Sequence, residues 1–213
     1  MAKPLIILFA RAPRLGCVKR RLAAGIGQIP ALRFYRNSLR RIIRILRNFD
    51  SVIAVTPNGA AIRPHPNLPI INQGHGDLGA RMARAFRRFP RRPVILIGAD
   101  IPDLGAAELR AAAQALRHHD AVFGPAADGG YYLVGMSRRR PATPFAQVRW
   151  STAHALADTK HNFRHLRIAS LRTLQDVDTA ENLKNHRDVV HCGAPPNPPT
   201  LSHVAESVSD RKC

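Results

Sequence analysis

The stretch Val94-Ile95-Leu96-Ile97-Gly98-Ala99-Asp100-Ile101-Pro102-Asp103-Leu104 decides the fold. Four consecutive apolar residues, three of them β-branched, read as a strand buried on both faces, the pattern of a central strand in a parallel sheet. Gly98 closes that strand, and two carboxylates, Asp100 and Asp103, follow it. Ligands of open α/β sheets sit outside the carboxyl ends of the strands. Paired acids at that edge are placed to hold a hard cation against a phosphate. A helix is expected from Ala106, so Asp103 could equally be its N-cap; Asp100 lies too far upstream to cap it and is read as functional.

Outward from this strand, apolar runs and amphipathic stretches alternate. Strands are expected at Pro4–Ala10, Ser51–Thr56, Pro69–Asn72, Asp120–Gly124, Tyr131–Gly135 and Leu166–Leu171. Helices are expected from Lys19 to about Gly25 or Gly27, and over Ile29–Phe49, Gly79–Phe89, Ala106–Arg117, Thr152–Phe163 and Thr179–Val190. The alternation predicts an α/β fold, a mostly parallel sheet with helices on both faces. Two strands follow one another without a helix around Gly124–Gly135, which marks an insertion or an antiparallel excursion beside the site. Residues 1–190 are read as one domain and 191–213 as a Pro-rich tail, non-periodic from Gly193 and expected to be disordered.

The chain of 213 residues carries 33 basic and 14 acidic side chains, a formal charge of +19. The cations are spread along the chain, aromatics for base stacking are few and no nucleic-acid module is recognisable, so dedicated nucleic-acid binding is not expected. On the long helix Leu32, Tyr35, Leu39, Ile42, Ile43 and Leu46 form the inward stripe, and Arg33, Arg36, Arg40, Arg44 and Arg47 lie off it. That arginine face is read first as a solvated surface, with peripheral contact to an anionic membrane as a further reading. Cys17, Cys192 and Cys213 are odd in number and widely spaced, which points to a reducing cytoplasm and away from disulfides or a zinc ribbon. The apolar run at Met1–Ala10 is too short for a signal peptide or a spanning helix.

Four segments could carry chemistry. The loop from Arg11 to Arg21, with Arg14, Gly16 and Lys19, joins a strand to a helix and could cradle a phosphate, although it lacks the Walker A pattern. Gln73-Gly74-His75-Gly76-Asp77-Leu78-Gly79 matches the dinucleotide fingerprint, with Asp100 about twenty residues on. Against that reading stand its short strand, its late position in the chain and the anion Asp77 inside the loop. In Asp128-Gly129-Gly130 the glycines admit a ligand close to the backbone, and Asp128 could bind a hydroxyl or act as base; the same residues also make a hairpin turn. Asp178 precedes the last helix with Glu181 three positions on, and could be its capping box, a metal carboxylate, or both. His154, Asp158, His161 and His165 fall near helical spacing for zinc, a coincidence expected in a chain with ten histidines.

The ordered segments A-R-A-P-R-L-G-C-V-K-R-R-L, Q-G-H-G-D-L-G-A-R-M, I-G-A-D-I-P-D-L, G-P-A-A-D-G-G-Y-Y-L-V-G, W-S-T and D-V-D-T-A-E-N-L resemble a family of GT-A-superfamily glycosyltransferases. Some of its members are named for arsenosugar biosynthesis and associated with radical-SAM proteins. Wider relatives are nucleotidyltransferases of the molybdopterin-guanine-dinucleotide type. The resemblance spans about Pro4 to Val190. It implies the three-layer α/β/α nucleotide-diphospho-sugar transferase fold and a Mg²⁺ or Mn²⁺ ion held by Asp100 and Asp178. It implies a phosphate loop at Gly16 and Lys19; Ala10, Arg11, Arg14, Arg21, Gln73, Gly76, Asp77 and Arg81 are read with it as the nucleotide and phosphate side. It implies a sugar or acceptor loop at Gly129 and Gly130; Asp103, Asp128, Trp150, Ser151 and Thr152 are read on the same side, and Asp100, Asp128 and Lys19 are the catalytic candidates. The chain departs from the family at Arg11 for a usual Lys, Arg20 for a usual Thr and Ile101 for a common Cys. The implied partners are a nucleotide-sugar or a nucleoside triphosphate and a small acceptor. The implied reaction is metal-dependent glycosyl transfer. Nucleotidyl transfer, a non-catalytic anion-binding module and an NAD(P)-dependent oxidoreductase stand as alternatives.

Overall fold

A computed structural model describes residues 3–62 and 67–191, and the proposed tail lies outside the described residues beyond His191. The strands are β1 (Leu5–Arg11), β2 (Ser51–Thr56), β3 (Ile70–Asn72), β4 (Val94–Ile97), β5 (Ala121–Pro125), β6 (Tyr131–Met136) and β7 (Ile168–Ser170). The helices are α1 (Arg20–Ile26), α2 (Gln28–Leu46), α3 (Leu78–Arg87), α4 (Ala106–Ala115), α5 (Ala155–His161) and α6 (Ala180–His191). The strands form one seven-stranded sheet in the order β3-β2-β1-β4-β6-β5-β7. β6 pairs antiparallel with β4 and β5, whereas the other pairings are parallel.

The strand period of two sorts side chains between two cores. Ile6, Leu8, Ile95 and Ile97 pack with Leu39, Ile42 and Leu46 of α2 and Leu109 and Ala112 of α4. Leu5, Ile7, Val94 and Leu96 pack on the other face with Met82 and Phe86 of α3 and with Phe163. β4 is buried at all four positions, as its apolar run requires. A third, smaller cluster of Leu22, Ala31, Val177 and Leu183 joins α1, α2 and the entry to α6. The arginine face of α2 is exposed at Arg33, Arg36, Arg40, Arg44 and Arg47. Among the described residues no helix is long and apolar enough to cross a membrane.

Local chemistry corrects several expected boundaries and caps. Helix α5 starts at Ala155, not Thr152, because Ser151 is left-handed (φ 61) and the Thr152 hydroxyl accepts from the His154 N–H at 3.2 Å. Asp103 does not cap α4: Gly105 is the N-cap, and Glu108 turns back to accept from the Gly105 N–H at 2.8 Å. Asp103 instead pairs with His186 of α6 at 3.0 Å. Nor do Asp178 and Glu181 form the box at α6. Thr179 Oγ1 accepts from the Asn182 N–H at 3.2 Å, and Asn182 Oδ1 accepts from the Thr179 N–H at 3.1 Å. Asp178 is thereby left available to the site.

Phe123 on β5 is fully buried, with its ring edge-on to Tyr131 and Phe163 at centroid distances of 5.8 and 5.4 Å. Phe123→Ala is expected to cost about 3–5 kcal/mol in denaturant unfolding, the range for truncating a buried phenylalanine. A loss near zero would contradict the packing.

Candidate active site

The carboxyl ends of β1 and β4, the β5–β6 turn and the segment before α6 surround one cavity of about 460 Å³. Its wall includes Ala10, Arg11, Gln73, Arg81, Asp100, Asp128, Gly130, Trp150, Ser151, Thr152 and Asp178, all expected at the site, brought from six separate segments. Arg14, Gly16, Arg21, Gly76, Asp77, Asp103 and Gly129 lie off this wall.

Each departure has a local cause. Arg14 and Gly16 are exposed on the loop leading into α1, and Arg21 is exposed in its first turn. Asp77 is the N-cap of α3 and accepts from the Ala80 N–H at 2.7 Å. Its carboxylate therefore occupies the anion position of that helix start, and β3 is only a three-residue edge strand, so the segment is not built to receive a dinucleotide pyrophosphate. Gly129 has φ +84, and a Cβ there would collide with the Ala153 carbonyl. The double glycine thus docks the β5–β6 hairpin onto the Trp150–Ala155 segment, while Gly130 reaches the cavity. Asp158, weighed above as a zinc ligand, is gripped by Arg149 through Nε at 2.9 Å and Nη2 at 2.8 Å.

The charged residues of the wall fall into two groups. One is Arg11 with Arg81. Burial, then the neighbouring Arg11, lowers the Arg81 pKa. Gln73 organises this group from a buried position: its Nε2 donates to the carbonyls of Ala10 at 3.2 Å and Ala54 at 2.8 Å, and its Oε1 accepts from Arg81 at 3.0 Å. The other is Asp100, Asp128, Asp176 and Asp178. Lys19 lies behind them, its side chain 4% exposed, with Nζ 3.2 Å from Asp100 Oδ1 and 2.8 Å from Asp178 Oδ1. Burial alone would lower the Lys19 pKa, but Asp100 and Asp178 outweigh it and leave it above the ordinary value. The lysine expected on the phosphate loop therefore faces the acid pair.

Asp176 was not among the residues expected at the site. The signal for it is the alternation in Asp176-Val177-Asp178: Val177 points into the α1–α2–α6 core, so the acids on either side turn together to the cavity. Tyr35 of α2 is a second addition. Its hydroxyl accepts from the Arg11 N–H and donates to the Arg11 carbonyl, both at 2.9 Å, and fixes the end of β1.

The chain belongs to the family described as "Uncharacterized protein conserved in bacteria (DUF2064)", whose model matches residues 40–152. A protein from Desulfovibrio desulfuricans G20, provisionally described as a nucleotide-diphospho-sugar transferase, is 32% identical, with a TM-score of 0.78 over 86% of this chain and 85% of its own. A cytidylyltransferase from Leptospira borgpetersenii shares the fold at 12% identity and a TM-score of 0.58, over 92% of this chain and 89% of its own. So does 2-C-methyl-D-erythritol 4-phosphate cytidylyltransferase from Thermus thermophilus, at 12% identity and 0.54, over 90% of this chain and all of its own. No curated protein matches the sequence. The fold is the three-layer α/β/α architecture of nucleotide-diphospho-sugar transferases and nucleotidyltransferases.

Burial, then the charges of Asp128 and Asp178, raises the Asp176 pKa. Such a carboxyl binds its proton more tightly in the folded chain than in the unfolded one, so stability falls as pH rises from the ordinary carboxyl range through the raised value. Asp176→Asn is expected to raise the melting temperature at pH 7 by about 1–3 °C, a gain discounted for partial exposure. That gain should shrink toward zero near about pH 4. A gain independent of pH would contradict the assignment.

Proposed function

We propose that this chain is a transferase acting on a nucleotide-activated substrate, with metal-dependent glycosyl transfer from a nucleotide-diphospho-sugar as its reaction. The observation that carries the reading is one cavity at the carboxyl edge whose wall combines the cations Arg11 and Arg81 with the carboxylates Asp100 and Asp178. The relative from Desulfovibrio desulfuricans supports it.

The donor set suits Mg²⁺ or Mn²⁺. Asp100 and Asp178 are hard oxygen ligands that already converge on one positive charge, the Lys19 ammonium. Among the described residues no three His, Cys, Asp or Glu side chains are grouped to hold a metal. An ion here would accordingly take Asp100 and Asp178 and complete its shell with phosphate oxygens and water, the usual arrangement of Mg²⁺ on nucleotides. When bound, it would neutralise phosphate charge that grows as the diphosphate leaves the sugar.

The protein's own groups do the rest. Arg11 and Arg81 hold the nucleotide's anionic groups, with Gln73 keeping Arg81 in place. Asp128 meets the acceptor and takes the proton of its attacking hydroxyl; its Oδ1 accepts from the Gly130 N–H at 2.8 Å, which fixes the carboxylate in the turn. Trp150, edge-on to Tyr131 and tilted against Phe145, and the Ser151–Thr152 turn form the acceptor wall.

The test is a thermal-shift panel of ATP, CTP, GTP, UTP, UDP-sugars, GDP-sugars and NAD(P)H, each with Mg²⁺, Mn²⁺ or EDTA. At about 100 times Kd, binding to the folded state is worth about 2.7 kcal/mol, or about 5–10 °C for a chain of this size. The expected result is a metal-dependent shift with a nucleotide-sugar that disappears in Asp100→Ala. A shift confined to a bare triphosphate would replace glycosyl with nucleotidyl transfer. A metal-independent shift with NAD(P)H would overturn the reading.

A further inference from the structure

Lys19 is held in an unusual way for a residue on a phosphate loop. Its backbone is left-handed (φ 48, ψ 48) at the N-cap of α1, a conformation that side chains other than glycine, asparagine and aspartate seldom adopt. Its side chain is 4% exposed, and its ammonium touches both carboxylates proposed to hold the metal, at 3.2 and 2.8 Å. A divalent ion held by Asp100 and Asp178 would need the same carboxylates that the ammonium now engages. The ammonium and the ion compete for those acids, and their like charges repel. For the ion to enter, Lys19 must move, and it needs a new anionic partner when it does. Its flexible stem gives it the freedom to move. A phosphate brought in beside the ion supplies the partner.

We propose that Lys19 is a positioning residue that excludes the bare divalent cation from Asp100 and Asp178 and cedes its place only to a cation arriving with a phosphate-bearing ligand. The site then takes the metal–phosphate complex as a unit. This rests on the metal-site reading given above and adds to it an order of binding and a ligand class. It also accounts for the buried stem, since an exposed lysine on the loop could bind phosphate without ever contacting the acids.

The test is equilibrium dialysis of Mn²⁺ against the full chain, alone and with one equivalent of inorganic pyrophosphate. Lys19→Met and Lys19→Gln are run in parallel, with melting curves to show that at least one is folded. The wild type is expected to hold bare Mn²⁺ weakly and to gain about tenfold or more with pyrophosphate, a normal size for coupling between sites. A folded Lys19 variant should hold bare Mn²⁺ about tenfold more tightly than the wild type and gain little from pyrophosphate. The added affinity should vanish when Asp100→Asn is combined with it. Equal, Asp100-dependent retention of bare Mn²⁺ by wild type and variant would overturn this inference and leave the metal site standing. Retention of no Mn²⁺ by any form, with or without pyrophosphate, would overturn both.

Discussion

A single buried ammonium between two carboxylates ties the site together. Lys19 comes from the loop between β1 and α1, Asp100 from the end of β4 and Asp178 from the entry to α6. These segments are far apart in sequence and meet only because β1 and β4 are neighbours in the sheet and α6 packs back on α1 and α2. Breaking such a bridge by removing one member leaves an uncompensated charge, which is costly where water is scarce. Asp100 and Asp178 of the cavity wall are gathered on Lys19, while its cations come from β1 (Arg11) and α3 (Arg81).

The sheet then sets what faces what. β6 inserts antiparallel between β4 and β5, so the turn carrying Asp128 is delivered to the same edge as Asp100 rather than to a helix on the far side. The close approach of Gly129 to Ala153 locks that turn against the Trp150–Thr152 segment. The two pieces of the proposed acceptor side, the Asp128 turn and the Trp150–Thr152 segment, are thereby held together. Gln73 commits its whole amide to the Ala10 and Ala54 carbonyls of β1 and β2 and to Arg81, which ties Arg81 to the sheet.

Much of the architecture was legible because the apolar runs are unambiguous. β4 could only be a doubly buried strand, and the stripe of α2 from Leu32 to Leu46 could only face a core. The antiparallel excursion was legible from the missing helix between β5 and β6. What misled was chemistry that serves two ends. Asp103 and the Asp178–Glu181 pair each fit a cap or a ligand on spacing alone. Which role applies depends on competitors such as Glu108 and Asn182, whose reach is a matter of rotamers and not of sequence distance. The turn of Lys19 toward the acids was illegible for the same reason, since a basic loop before a helix ordinarily faces solvent or phosphate. Asp176 could have been found from its alternation with Val177, had Val177 been recognised as a core residue.

The most direct measurement of the central claim is a crystal structure of the full chain with Mn²⁺ and the nucleotide-sugar that stabilises it most. The account predicts an anomalous peak between the carboxylates of Asp100 and Asp178, with the Lys19 ammonium moved from between them onto a phosphate oxygen. A nucleotide seated elsewhere, or Mn²⁺ bound while Lys19 still bridges the two acids, would contradict it.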